Sequence, residues 1–279
     1  LPPAGEYGVG MLFLPKETAS RIANIQPKIY AGNDYKIRLA IEVFESAVDT
    51  DALSEKINSV KSETITPIMF QHNLVAKAKK AQTHIVLPES EDERILKAAS
   101  RLAKDKIGFF TLLGKADEVK SRVMDLGLYW DDERIQIVDP MTSNNYEDYY
   151  TTLYELRKAK GMEITSAADL MTDPSYFGTM MVYKGDADGM VSGAMNTTAH
   201  TIRPAFEFVK TKEGVSSVSS VFLMALRDRV VVYGDCAVIP EPSVEELADI
   251  AISSAKTAAS FNIEPHVAML SYSTGTSGS

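Results

Sequence analysis

From residue 84 onward the apolar positions alternate between two kinds of run. His84–Leu87, Phe109–Leu113 and Ile135–Val138 are short apolar or β-branched stretches that read as buried strands. Each is followed by residues spaced for a helix. Ile95, Leu96, Ala99 and Leu102 share one side of the first, a second is expected around 117–126 after Gly114, and a third from about Tyr146 to Lys160, stopped by Gly161. Ser90 followed by Glu93 has the form of a capping box and predicts Ser90 as the N-cap of the first helix. Strand, helix, strand order of this kind implies parallel strands, right-handed crossovers and helices on both faces. A fourth short strand is expected at Gly189, Met190 and Val191, ending in a turn at Ser192-Gly193, with Pro204 opening the next helix.

The rhythm changes afterwards. Ser219–Leu226 and Val230–Tyr233 are apolar runs separated by Arg227-Asp228-Arg229, a spacing that predicts an antiparallel pair. Ser243 and Glu246 form a second capping-box pattern, opening a helix to about Phe261, and His266–Tyr272 reads as a buried strand. Upstream, Ile37, Ala40, Ile41 and Phe44, then Leu53 and Ile57 beyond a break at Asp49-Thr50-Asp51, fall at helical spacing. Thr64–Phe70, with Pro67, reads as a link, so a boundary is placed near residue 62. Gly8-Val9-Gly10 has no third glycine or later acidic partner, and the first 15 residues read as a strand or a tail rather than a dinucleotide site.

Composition narrows the function classes. With 279 residues, 45% hydrophobic and 24% charged, the chain is that of a soluble globular protein. No apolar run approaches the ~18 residues of a membrane span, and no secretory signal pattern is present. The net charge of -9 argues against nucleic-acid binding while leaving room for a local cluster of cations. A single cysteine, Cys236, fits a reducing cytoplasm and reads as a small buried apolar residue, since no histidine sits near it in sequence to activate it. The four histidines are scattered, and no Cys/His spacing suits a metal.

Candidate chemistry concentrates at Asp188–Pro204, DGMVSGAMNTTAHTIRP. A strand that ends in a loop of hydroxyl and amide side chains and runs into a helix start beside Arg203 is the composition of an anion site. The same residues also suit an ordinary strand-to-helix loop in which Thr and Asn merely turn and cap the chain. Arg157, at the end of the third helix, reads on pattern alone as a solvated cation, and Arg94 as half of a helix-surface ion pair.

The ordered set IVLPESEDERIL, LLGKADEV, IVDP, YELRKAKG, DGMVSGA, TIRP, KTKEG, SSVF, VYGDCAV, EPSVEELADIAISSAKTA and VAMLSYSTGTSG resembles the phosphate acetyltransferase (phosphotransacetylase) family over residues 63–279. KIYAGNDYKIRLAIEVFESAVDTDAL resembles the linker that precedes this domain in long bacterial forms. The resemblance implies a three-layer α/β fold with a mostly parallel sheet. It further implies two domains flanking an interdomain cleft, as in isocitrate and isopropylmalate dehydrogenases, and a homodimer or higher homo-oligomer. Residues 1–62 would be a lead-in module, 63–212 domain I and 213–279 the start of domain II, with the division near Lys212–Gly214. The implied reaction interconverts acetyl-CoA and phosphate with acetyl phosphate and CoA by direct thiolate attack in a ternary complex. CoA and acetyl-CoA act in it as substrates, and no cofactor or metal is resident.

Carried over by motif, Arg203 and Arg157 are expected at phosphate and CoA, with Ser192, Thr197, Thr198 and Thr201 along the same cleft and Tyr272, Ser273, Thr274 and Ser277 on its other wall. The general-base aspartate is expected in a DLSRG-type segment beyond residue 279, so the chain reads as C-terminally incomplete and 1–279 alone is expected to transfer little acetyl. A butyryl-specific transferase and a non-catalytic acetyl-CoA sensor remain the alternatives.

Overall fold

The computed structural model describes residues 34–59, 65–211 and 218–270. The expected boundaries near 62 and 212–214 and the residues before 34 lie outside these. The N-terminal apolar spacing gives helices α1 (Asp34–Ala47) and α2 (Thr50–Ser59), broken where expected, with Asp49 accepting from the amides of Asp51 and Ala52. The stretch read as a link is instead the start of helix α3 (Pro67–Ala81). Thr66 caps it by accepting from the Met69 amide, and Pro67 fits the first turn because its missing N–H is not needed there.

Strands β1 (His84–Leu87), β2 (Phe109–Leu113), β3 (Ile135–Val138) and β4 (Gly189–Met190) pair in parallel in the order β3-β2-β1-β4. Helices α4 (Glu93–Lys104) and α5 (Ala116–Asp125) link the first three, and α6 (Tyr146–Arg157), α7 (Ile164–Met171) and α8 (Pro174–Lys184) lie between β3 and β4. The two-residue period of the strands separates two cores. Leu87, Phe110, Leu112 and Ile135 pack with Leu96, Ala99, Val119 and Val123 of α4 and α5. Val86 and Leu113 point the other way, onto Tyr149, Leu153, Met171, Phe177 and Met180 of α6, α7 and α8. Gly178 sets how closely α8 sits on the sheet, since a Cβ there would meet Met190 Sδ at 2.8 Å and Val86 Cγ1 at 3.1 Å.

Two predicted helix starts move. Ser90 does not cap α4, because its buried hydroxyl donates to the Leu113 carbonyl at 2.6 Å, and Asp92 two residues on accepts from the Arg94 amide instead. Pro204 does not open a helix. Thr197 accepts from the His200 amide and starts helix α9 (Thr198–Pro204) a turn and a half earlier, and a π-helical turn (Ala205–Val209) follows.

The antiparallel pair is present as β5 (Val221–Ala225) and β6 (Val230–Gly234), and the capping box of Ser243 and Glu246 opens helix α10 (Val244–Ser260), which packs on β6. Lys77 of α3 donates to the Ser260 carbonyl, and Phe70 and Phe261 meet at 5.8 Å. The predicted strand from His266 is absent over residues 266–270, which pair with neither sheet, and Leu270 is 92% exposed. Cys236 is half-buried, its Sγ 3.3 Å from the Ser220 hydroxyl.

Candidate functional site

In a parallel sheet the carboxyl ends of neighbouring strands gather the loops that can hold a ligand. Here β1 delivers Pro88-Glu89-Ser90, β2 delivers Gly114 and β4 delivers the loop 191–197. The loop's geometry is governed by a residue absent from the sequence reading. Buried Glu89 accepts four backbone N–H donors, from Gly193 (2.8 Å) and Ala194 (2.8 Å) at Oε2 and from Met195 (2.7 Å) and Asn196 (2.8 Å) at Oε1. Backbone amides that could otherwise converge on an external anion thus already hold an internal one. Burial pushes the Glu89 carboxyl up, but the four amide donors outweigh it and hold it below the ordinary carboxylate value.

Further contacts brace the same loop. Arg94 pairs with Asp92, as expected, and its Nη2 also donates to the Ala194 carbonyl at 2.7 Å. Asn196 Nδ2 lies 3.4 Å from Ser175 Oγ, and His200 Nε2 lies 3.0 Å from Asp173, the N-cap of α8. Between these groups is an open cavity of ≈ 220 Å³ lined by Glu89, Ser90, Lys115, Arg122, Asp173, Asn196 and His200 among others.

The two predicted arginines are brought together by Glu207 of the π-helical turn. Arg203 Nε donates to its Oε1 at 2.8 Å, and Arg157 Nη1 donates to its carbonyl at 3.3 Å. Their settings differ: the Arg203 side chain is 68% exposed, whereas Arg157 Nε is buried with no hydrogen-bond partner among the described residues. Ser192 Oγ and Thr201 Oγ1 are likewise buried with no partner among those residues, while the buried Tyr176 hydroxyl and Glu207 carboxylate face each other without regular hydrogen-bond geometry. Burial first, then the neighbouring Glu207 charge, pushes the Tyr176 phenol up to about 12, so it stays a neutral donor. Buried polar groups in a folded protein are almost always paired, so the unpartnered Arg157 Nε and, on α9 two residues before Arg203, Thr201 Oγ1 are groups that polar atoms of a ligand would satisfy.

Of the other predicted residues, Thr197 is occupied as the α9 cap, Thr198 is exposed on the first turn of that helix, and Tyr272, Ser273, Thr274 and Ser277 lie outside the described residues. Tyr176 and Glu207 were missed in the sequence. Glu207, four residues after Arg203, was findable as a helical pair. Glu89 carried no local signal, because its partners are more than 100 residues away.

Three carboxylates that accept amides have depressed pKa values. Asp92 is held at about 2 by Arg94. Asp235 is pulled well down by the Ser220 hydroxyl and the Ile239, Ser220 and Ala237 amides, against the opposing effect of burial. With Glu89 these contribute stability that is fully present above the ordinary carboxylate pKa and lost as pH falls through the folded-state values. The urea midpoint should therefore be flat from about pH 8 to 5 and drop between about pH 4.5 and 2. A midpoint that rises on acidification through that window would contradict the assignment.

Residues 69–279 match the family described as phosphate acetyl/butaryl transferase. The chain belongs to this family. It is 54% identical over 262 residues to a phosphate acetyltransferase of Nitratidesulfovibrio vulgaris, a match covering 94% of this chain and 37% of that protein. Against the phosphate acetyltransferase of Synechocystis sp. it is 49% identical, covering 94% and 38%. The chain therefore spans less than two fifths of the length of these relatives. Among solved structures, it superposes on a phosphotransacetylase from Streptococcus pyogenes with a TM-score of 0.70 at 38% identity, covering 77% of this chain and 65% of that one. It also superposes on the EutD phosphotransacetylase from Staphylococcus aureus with a TM-score of 0.65 at 41% identity, covering 75% and 63%. In this member of the phosphate acetyl/butaryl transferase family, the stretch holding Arg157, Arg203 and the Glu89-bound loop falls within the matched residues.

Proposed function

We propose that this chain forms part of a phosphate acetyltransferase, interconverting acetyl-CoA and inorganic phosphate with acetyl phosphate and CoA. The observation that carries the reading is the meeting of Arg157 and Arg203 at Glu207, with the unpartnered Thr201 hydroxyl two residues before Arg203 on α9, in a member of a phosphate acyltransferase family. Phosphate is a dianion, and guanidinium forks hold and orient such groups better than point charges do. In the proposed reaction the CoA thiolate attacks the carbonyl of acetyl phosphate within a ternary complex. The C–S bond forms as the C–O bond to phosphate breaks, the thiol proton passes to a carboxylate base, and phosphate leaves onto the arginines. With a free thiol pKa near about 8.5, that base is needed at neutral pH. Charge growing on the carbonyl oxygen requires hydrogen-bond donors placed in advance, and holding both substrates together supplies much of the remaining rate.

The finer architecture belongs to the same proposal: two α/β domains around a cleft, as in isocitrate and isopropylmalate dehydrogenases, a homodimer or higher homo-oligomer, a cytoplasmic location and no resident cofactor. Among the described residues no helix is long and apolar enough to cross a membrane.

The test is phosphate-dependent release of CoA from acetyl-CoA by the purified full-length protein, with arsenate as an alternative acceptor and butyryl-CoA as the competing acyl donor. Arg203→Ala should raise KM for phosphate about tenfold, the loss of one exposed charge-assisted contact, while leaving the melting temperature nearly unchanged. Release of CoA that is independent of phosphate and arsenate, or an unaltered KM in the variant, sinks the reading.

A further inference from the structure

Four consecutive amides aimed at one point form a concavity of the kind that holds phosphate or carboxylate ligands. In this chain the concavity of Gly193–Asn196 is filled from within by Glu89, each carboxylate oxygen taking two N–H donors at 2.7–2.8 Å. The loop leads directly into Thr197, the cap of α9, and α9 carries Thr201 and Arg203. Glu89 follows β1 by a single proline, Pro88, so its backbone is fixed by the buried sheet.

We propose that Glu89 is the positioning residue of the substrate loop. Its carboxylate is the built-in anion that sets the 193–196 backbone, and through it the placing of Ser192 and the start of α9. It does not touch substrate, and by occupying the amides it excludes phosphate from them. Phosphate is left to the guanidinium groups. This inference rests on the acetyltransferase reading for its kinetic part and on geometry alone for the rest.

The geometry dictates which replacements fail. Glutamine keeps the shape but offers one acceptor oxygen, and its NH₂ faces two N–H donors, so two of the four bonds are replaced by donor–donor contacts. Alanine leaves all four amides without an acceptor. The ≈ 220 Å³ cavity is lined by Glu89, Met195 and Asn196, so a small solute has access to the vacated position. Formate matches the missing carboxylate atom for atom.

The experiment uses the full-length protein and two readouts. Amide hydrogen exchange by mass spectrometry on the segment 192–197 should show protection in the wild type. Exchange should be at least about tenfold faster in Glu89→Ala, and protection should return with formate but not with chloride at equal ionic strength. In parallel, Glu89→Gln and Glu89→Ala should raise KM for phosphate and lower kcat by about tenfold or more, with formate restoring several-fold of the alanine variant's kcat/KM while not accelerating the wild type. Exchange that is the same in wild type and Glu89→Ala overturns the clamp, whatever the enzyme's reaction. Exchange that responds while kinetics do not, or kinetic loss without formate recovery, overturns the positioning role. If no acetyl transfer is found in the wild type, the exchange measurement still decides whether Glu89 sets the loop, so failure of the clamp and failure of the acetyltransferase reading are told apart.

Discussion

Replacing Arg157 with alanine should lower kcat/KM for phosphorolysis of acetyl-CoA by about a hundredfold or more, a larger loss than at Arg203. The difference follows from their surroundings. Arg203 is mostly exposed and its Nε already donates to Glu207, so water and that carboxylate soften its contribution. Arg157 Nε is buried and holds a donor with no partner among the described residues, while its Nη1 is anchored to the Glu207 carbonyl. A guanidinium fixed at one nitrogen and holding an unspent donor at another is pre-oriented for an anion. Two charge-assisted bonds in such a setting contribute roughly 1.5–3 kcal/mol each, which converts to a factor of about a hundred at the lower end. Lysine should not restore the loss, because a single ammonium cannot reproduce the fork. Steady-state kinetics on Arg157→Ala and Arg157→Lys check this, and wild-type kcat/KM in either variant would remove Arg157 from the site.

The second large effect is on stability. Phe177 of α8 is 1% exposed, its ring 4.9 Å from that of Tyr149, in the core cluster that also holds Val86, Leu113 and Met180. Phe177→Ala should cost about 3–5 kcal/mol, the transfer of the ring plus the cavity it leaves, because Gly178 already sets the helix against β4 and β1 and leaves little room to collapse. The urea midpoint should fall with the slope unchanged. The variant should also lose activity at temperatures where it remains folded, since Asp173 and Ser175 at the start of α8 brace His200 and Asn196. A loss below about 1 kcal/mol would mean that the site repacks freely.

What could be read from the sequence was whatever neighbours in the chain decide. β1, β2, β3 and the helices that follow them were legible because their apolar period is local, and β5 with β6 because a three-residue polar gap leaves only a tight reversal. Ser243 caps α10 since Glu246 answers it in the same turn. The same motif misled at Ser90, where the Leu113 carbonyl, 23 residues away, took the hydroxyl first and Asp92 was at hand to substitute. At Pro204 a good first-position residue was overruled by Thr197, whose side chain nucleated the helix upstream. Helix α3 hid behind a proline read as a link, and the stretch from His266 carried a strand's composition without a strand's partner. For the site, motif order placed Arg157 and Arg203 in one region, but their meeting at Glu207 depends on α6 packing against the turn after α9. Glu89 was beyond reach for the same reason: nothing within a hundred residues shows four amides converging on it.

The widened turn at 205–209, where the Lys210 amide reaches back five residues to the Ala205 carbonyl at 2.9 Å, acts as a phase shifter. It accommodates one more residue than an α-helical turn does, and one residue amounts to about 100° of rotation about the axis. Phe208 thereby lies inward, 3% exposed, against Tyr183 while Glu207 is presented to the arginines. Swapping segments between relatives across this stretch should preserve its length before its composition, because trimming a single residue within the turn would rotate Glu207 away from the arginines or Phe208 away from Tyr183 even if both side chains were kept.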